Sequence, residues 1–159
     1  LNRYFYSMGN AILKQNGHTD KYMEDGIMAL FGLHENDSSA ICLNSVSAAS
    51  DMLKSLDSID HYAKKYFEVK FEMGIGIHFG EMIIGDLGHP YKIQFTAIGD
   101  TVNLASRIES ATKDAQASIL ISESVYCHIK DKLQTGQVVE TELKGKEGLY
   151  KINEVKGIL

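Results

Sequence analysis

The sequence predicts one α+β domain, over residues 1–159, in which helices pack on one face of a sheet. Helical and strand-like patterns alternate along the chain, but several neighbouring strands are joined by turns too short to hold a helix. Such turns join antiparallel strands, whereas a purely parallel sheet needs a crossover between neighbours. A composition of 44% hydrophobic and 23% charged residues is ordinary for a folded domain with its own core.

The first part of the chain predicts a helix, a hairpin and a second helix. Apolar residues at near-helical spacing predict the first helix, which Asn16-Gly17 ends. The turn Glu24-Asp25-Gly26 predicts the hairpin, because Asp-Gly between apolar runs is a strong hairpin signal. The predicted bounds are 1–15 for the first helix, 18–23 and 27–31 for the strands, and 38–56 for the second helix, extended or irregular through residue 66.

The second part predicts six strands and two helices. A long strand is predicted to turn back at Gly80-Glu81, and Asp100 is a plausible N-cap for the helix that follows it. Residues 87–92, which contain the only proline, are predicted to form a loop. The predicted strands are 67–79, 82–86, 93–97, 118–121, 138–143 and 149–155, and the predicted helices are 101–115 and 123–133.

Composition excludes several classes of protein. The net charge of −5 argues against a nucleic-acid partner, since such binding usually needs a basic face. Cys42 and Cys127 are far apart and show no CxxC pattern, which favours free thiols in a reducing, cytoplasmic setting. The sequence has no apolar run long enough to span a bilayer and no signal peptide, so we expect no membrane contact from this domain.

The segment from Phe95 to Glu109 holds the most informative pattern. A strand-like run ends at Gly99-Asp100, and a helix follows with Asn103 and Arg107 four residues apart, on one face. An amide and a guanidinium so placed can bind an anionic, oxygen-rich ligand, and arginine suits phosphate because its planar fork donates two hydrogen bonds. The alternative is an exposed helix on which Arg107 pairs with a nearby acid.

Two turns contain residues that suit a phosphorylated ligand. At the tip of the first hairpin, the carboxylate of Asp25 is well placed for a hard cation such as Mg²⁺, and Lys21 of the preceding strand has the same parity, although the turn can redirect Asp25. In Lys144-Gly145-Lys146-Glu147-Gly148, glycines beside lysines allow a loop to approach polyphosphate closely. For both turns the alternative is structural, with Asp25 serving only the turn and the lysines solvated.

Other motifs are absent or incomplete. The run from Gly74 to Gly80 contains GxG but no following helix, so it predicts a strand with a close backbone approach rather than a dinucleotide site. The six histidines show no zinc-ligand spacing, and the sequence has no GxxxxGK[ST] loop and no GxSxG elbow.

Taken in order, these segments resemble the class III nucleotide cyclase catalytic domain, the adenylate and guanylate cyclase family. The resemblance covers nearly the whole chain. It implies a ferredoxin-like βαββαβ core, with a mostly antiparallel central sheet and helices packed on it. The matching segments are Leu1 to Phe5, Gly17 to Gly32, Gly74 to Gly88, Phe95 to Glu109, and Leu143 to Lys146.

The resemblance implies ATP as the substrate. Lys21 matches the residue that reads the purine ring, and Thr96 matches its partner in base selection. Guanylate cyclases usually have glutamate and a small residue at these positions. A lysine donor suits N1 of adenine, which is an acceptor, whereas N1 of guanine carries a hydrogen.

The resemblance also implies a two-metal reaction that forms cyclic AMP for intracellular signalling. Asp25 matches the second of two aspartates that hold two divalent ions, Mg or Mn. Asn103 matches the residue that orients the ribose, Arg107 the one that stabilises the transition state, and Lys144 the one that contacts the terminal phosphates. In the family, the site lies between two protomers, which implies a homodimer with two sites.

The chain departs from the family pattern in two places. The family's first metal-binding aspartate lies in a Phe-x-Asp-Ile-x-x-Phe-Thr strand before the first helix, and this sequence begins after that point. We therefore expect an N-terminally truncated domain that lacks the first strand and has weak or no activity alone. Glu24 replaces a usual glycine, and we expect its side chain to face solvent. Two alternatives stay open, a catalytically silent module that dimerises and relays signals, and a guanylate cyclase.

Overall fold

The structure, a computed structural model, describes residues 2–24, 26–143 and 145–159. By its internal contacts the chain forms two compact units, Leu1–Met73 and Gly74–Leu159. The predictions made for Asp25 and Lys144 concern residues outside the described ranges.

The first unit holds two helices and a β-hairpin around a shared apolar cluster. Met8 of the first helix packs with Leu56 and Ile59 of the second, because each lies on the apolar stripe of its helix. Within the hairpin the register shifts between Thr19 and Lys21, so the first strand bulges there. The elements are α1 (Asn2–Lys14), β1 (His18–Met23), β2 (Gly26–Leu30) and α2 (Ser38–Phe67).

Helix α2 continues beyond residue 56, where the regular part of the predicted helix ends, and includes the extension that was predicted through residue 66. Asp37 caps its start, because the Asp37 side chain accepts a hydrogen bond from the backbone N–H of Ser39 at 3.0 Å. Buried Leu56, Ile59 and Ala63 continue the apolar stripe at helical spacing beyond residue 56.

The prediction of a long strand over 67–79 is wrong. Residue 67 still belongs to α2, Glu68 ends the helix in the left-handed conformation with φ of 54°, and only Ile75–Ile77 form a strand. The backbone N–H of Phe71 donates to Asp60 Oδ1 at 2.8 Å. A side chain of α2 thus satisfies a backbone group that a strand would have paired in a ladder.

The second unit contains a four-stranded sheet, a separate hairpin and two helices. The sheet has the order β3-β6-β8-β7, in which β3 and β6 are parallel and the other pairs are antiparallel; β4 and β5 form the hairpin. The elements are β3 (Ile75–Ile77), β4 (Ile83–His89), β5 (Lys92–Ile98), α3 (Asp100–Ala115), β6 (Ile119–Ser122), α4 (Glu123–Ile129), a 3₁₀ turn (Lys130–Lys132), β7 (Leu133–Glu142) and β8 (Leu149–Ile158).

Helix α3 packs on the sheet and forms the core of this unit. Leu104 and Ile108, one turn apart, pack with Leu120 of β6 and Ile152 of β8. The backbones of α3 and β3 lie so close that a methyl group at Gly76 would come within 2.7 Å of the Ala105 carbonyl oxygen. The predicted strand with a close backbone approach is confirmed at this glycine.

The hairpin β4–β5 differs from the prediction in its loop and in its partner. Residues 87–92 are not a loop, because the ladder runs without interruption from Ile83 opposite Ile98 to His89 opposite Lys92. Pro90 lies in the two-residue connection, where its fixed φ suits a turn. The turn predicted at Gly80-Glu81 does not join paired strands, since β3 pairs with β6.

Three other boundaries differ. Asp100 is not an N-cap: α3 begins at Asp100, and Gly99 is the cap, with no side-chain cap hydrogen bond. The helix predicted over 123–133 ends at Ile129 and continues as a 3₁₀ turn. The final strands are longer than predicted because their pairing extends to Leu133 opposite Ile158. The expected α+β class is nevertheless confirmed, with antiparallel pairs and covering helices.

Candidate functional site

Lys21, in the first unit, lies directly after the bulge in β1. Its Nζ is 3.6 Å from Asp20 Oδ2, and the Asp20 side chain is fully buried while that of Lys21 is about one-third exposed, at 32%. The lysine is therefore held by an adjacent carboxylate rather than freely solvated. Asp25, expected to bind metal at the tip of this hairpin, lies outside the described residues.

Glu24 precedes that tip and adopts an unusual backbone conformation. Its φ is 54°, in the left-handed region that favours glycine, and its side chain is exposed. The prediction that this carboxylate faces solvent is confirmed.

Thr96, in the second unit, is buried within β5 opposite Gly85 of β4. Gly85 has open space where a side chain would be. Thr96 therefore lies buried on the strand that leads directly into α3.

Asn103 and Arg107 lie on α3 as the spacing predicts. Asn103 is exposed in the first turn, and Arg107 is half-buried one turn later. The guanidinium of Arg107 lies against Gly145 of the β7–β8 loop, where a methyl group would come within 3.0 Å of Arg107 Nη2. Gly145 also has a positive φ of 79°, a backbone conformation that favours glycine.

An ion pair joins the same loop to the start of α3. Lys146 Nζ donates to Asp100 Oδ2. This hydrogen bond lowers the pKa of Asp100, and the positive charges of Lys146 and Arg107 lower it further. Local spacing predicts only a cap role for Asp100 and no role for Lys146, and the Lys-Gly-Lys pattern is the one sequence signal that points to this loop.

His78, which follows β3, lies near this pair. Its Nδ1 is hydrogen-bonded to Ser122 Oγ at 2.8 Å, and Ser124 Oγ donates to the Phe79 carbonyl oxygen at 2.8 Å. Burial lowers the pKa of His78, while the charge of Asp100 raises it and that of Lys146 lowers it. The lowered pKa favours the neutral imidazole, and the hydrogen bond to Ser122 fixes the orientation of the ring.

The structure thus brings together part of the predicted set. Arg107, Asn103 and the loop after Lys144 meet at α3, while Lys21 lies in the other unit. Within residues 2–24, 26–143 and 145–159, no group of three or more His, Cys, Asp or Glu side chains could hold a metal ion. No helix in the described part of the chain is long and apolar enough to cross a bilayer.

Known proteins match the chain over nearly its full length. Residues 1–154 match the family model of the adenylate and guanylate cyclase catalytic domain. An adenylate cyclase of Anabaena cylindrica is 37% identical over 163 aligned positions, which cover 98% of this chain and 31% of that protein. The chain therefore spans about a third of that curated relative.

Two solved structures share the fold. The guanylyl cyclase Cya2 superposes with a TM-score of 0.91 at 29% identity, covering 99% of this chain and 79% of that one. The adenylyl cyclase CyaB from P. aeruginosa gives a TM-score of 0.89 at 29% identity, covering 98% of this chain and 80% of that one. With the family match, these similarities show that the chain belongs to the adenylate and guanylate cyclase catalytic domain family, a family of phosphorus–oxygen lyases.

Proposed function

We propose that the protein containing this chain converts ATP to 3′,5′-cyclic AMP and pyrophosphate, and that residues 1–159 are its single catalytic domain. The observation that supports this most strongly is the position of Arg107, whose guanidinium lies against the glycine of a lysine-containing loop. An arginine beside backbone with no side chain is suited to a polyphosphate, because the anion can approach both closely.

The choice of ATP rests on Lys21 and Thr96. The similarity to a guanylyl cyclase is as strong as that to an adenylyl cyclase, with TM-scores of 0.91 and 0.89, so the fold alone does not select the base. The ammonium of Lys21 lies 3.6 Å from the buried Asp20 carboxylate, and it carries three N–H donors, so one can pair with Asp20 while another donates to a base. A donor complements N1 of adenine and opposes N1 of guanine, whose hydrogen would face it.

The remaining residues act on the ribose and the phosphates. Asn103 orients the ribose, Arg107 stabilises negative charge that develops on the phosphates, and Lys144 contacts the terminal phosphates. The 3′-oxygen bonds to the α-phosphorus as the bond to pyrophosphate breaks, and the 3′-hydroxyl proton is released. Positioning and charge stabilisation supply most of the acceleration in phosphoryl transfer of this kind.

Nucleotide cyclases as a family use divalent metal ions, and we propose two ions of Mg or Mn at each site. Asp25 is the residue of this chain that would hold them, since a carboxylate is the oxygen ligand that such ions prefer. Oxygen atoms of the substrate, water or further carboxylates would complete the coordination of the ions. When bound, the ions lower the pKa of the 3′-hydroxyl and neutralise phosphate charge.

We further propose that the active protein is a homodimer with its sites at the interface. The β4–β5 hairpin exposes several large apolar side chains, which is typical of an interaction surface. These side chains include Ile83, Tyr91, Ile93 and Phe95. A catalytically silent module would dimerise in the same way but form no product. A cytoplasmic location remains a prediction from the cysteine spacing.

The test compares the full-length protein with an Arg107→Ala variant in an assay with ATP and Mn²⁺. Loss of a group that stabilises transition-state charge lowers turnover by roughly 100- to 1,000-fold, and we expect kcat to fall by that amount. Lys113→Ala is the matched control, since it removes an exposed positive charge from the same helix. Equal cyclic AMP formation by the wild-type protein and Arg107→Ala would contradict the proposed role, and no product from the wild-type protein would favour the silent module.

A further inference from the structure

The ion pair between Asp100 and Lys146 joins two elements that both belong to the proposed site. Asp100 is the first residue of α3, and Lys146 lies in the β7–β8 loop, with its side chain about four-fifths buried. The backbone N–H of Lys146 donates to the Leu143 carbonyl oxygen at 2.9 Å, which closes the loop into a turn. The ion pair therefore attaches an already formed turn to the helix.

A second contact fixes the same turn further along the helix. Gly145 lies against the guanidinium of Arg107, seven residues after Asp100 on α3. Gly145 and Lys146 are adjacent, and each meets a different side chain of α3, so the turn contacts the helix through two side chains. Two such contacts fix the orientation of the loop as well as its distance from the helix.

The first turn of α3, which carries Asp100, is itself held by contacts with the segment before β4. Thr101 Oγ1 donates to the Glu81 carbonyl oxygen, and a methyl group at Gly80 would come within 2.8 Å of the same hydroxyl. The first turn of α3 is therefore held against the segment that follows β3. Asp100 thus presents its carboxylate, which is about two-thirds exposed, from a fixed point on the helix.

We propose that Asp100 and Lys146 are positioning residues, whose ion pair holds the 145–148 loop against α3 so that Arg107 is aligned for the transferring phosphate. This inference rests on the proposed function. In this proposal Lys146 acts through Asp100, to which its amine donates, and not as a phosphate ligand. Misalignment by about 1 Å of a group that stabilises charge is enough to lower turnover by roughly 100-fold.

The kinetic test is a double-mutant cycle in the full-length protein with Asp100→Asn, Lys146→Met and both together. We expect each single variant to lower kcat by roughly 10- to 100-fold with little change in KM, and the double variant to be no worse than either. The charge-reversed protein, with Asp100→Lys and Lys146→Asp combined, should regain much of the lost kcat. Lys156→Met is the control, because it removes an ion-paired lysine from β8 and leaves the loop intact.

Hydrogen exchange of the nucleotide-free protein supplies a readout that does not depend on turnover. The amides of residues 145–148 should exchange faster in both single variants and return toward the wild-type rate on charge reversal. Unchanged exchange, unchanged kcat or failure of the reversed pair would overturn the inference. A rise in KM for Lys146→Met alone would overturn it in favour of a direct phosphate contact. If the wild-type protein forms no cyclic nucleotide, the proposed function fails, whereas exchange still decides whether the pair holds the loop.

Discussion

At the scale of single residues, the sequence predicted which side chains share a helical face, but it did not predict which distant residues contact one another. Asn103 and Arg107 could be placed on one helical face because four residues make about one turn, and the structure has them there. Asp100 was misassigned because an aspartate before a helix is most often a cap, and only the folded loop brings Lys146 to it. Contacts between residues this far apart in the chain are not encoded in local spacing.

Glu24 offers a direct test of local backbone strain. A non-glycine residue in the left-handed region, such as Glu24, costs about 1–2 kcal/mol. Glycine removes this cost, but the greater conformational entropy of its unfolded chain offsets part of the gain in stability. We therefore expect Glu24→Gly to raise the free energy of unfolding by about 0.5–1 kcal/mol, measured by urea denaturation. Glu24→Ala is the control, since alanine retains the Cβ atom; an equal gain from both variants would refute the explanation by backbone strain.

At the scale of elements, errors arose where tertiary contacts replaced local patterns. The apolar run over 67–79 has strand character, but residue 67 completes α2 and the side chain of Asp60 binds the backbone at Phe71. The loop predicted over 87–92 contains glycine and proline, which signal turns, yet only two of its residues form the turn. The first hairpin and α3 were predicted well because their turn and spacing signals are local.

The close approach of α3 to β3 predicts a large effect of a small substitution. A methyl group at Gly76 would meet backbone atoms of α3, which cannot rotate away as a side chain can. Gly76→Ala is expected to lower the free energy of unfolding by about 1–3 kcal/mol, the usual cost of overpacking. Gly85→Ala serves as the matched control in the same unit, because open space surrounds that position. Similar stability of the two variants in thermal or urea unfolding would contradict the described packing.

At the scale of the whole molecule, the proposed site residues are spread over the two compact units of one chain. Lys21 lies in the first unit, and Thr96, Asn103 and Arg107 lie in the second. Sequence resemblance could indicate the family and a homodimer, since motifs in register extend over the whole chain. The residues that define a partner surface could not be predicted, because exposure of the β4–β5 hairpin depends on the fold.

The exposed hairpin makes the proposed dimer testable. Ile93 is 62% exposed on β5, and placing a charge there should oppose burial against a second copy. Ile93→Lys is therefore expected to shift the protein from dimer to monomer in sedimentation velocity and to lower cyclase activity in parallel. Leu13→Lys changes an exposed leucine on α1 and is the control. A dimer of undiminished stability in Ile93→Lys would show that the hairpin is not the interface.

The most direct test of the central claim is a competition assay in which the full-length protein receives equal concentrations of ATP and GTP with Mn²⁺. Lys21 as a hydrogen-bond donor to adenine predicts that cyclic AMP is the main product, and that Lys21→Glu lowers the ratio of cyclic AMP to cyclic GMP. Predominant cyclic GMP from the wild-type protein, or no cyclic nucleotide from either substrate, would contradict the assignment of this chain as an adenylate cyclase.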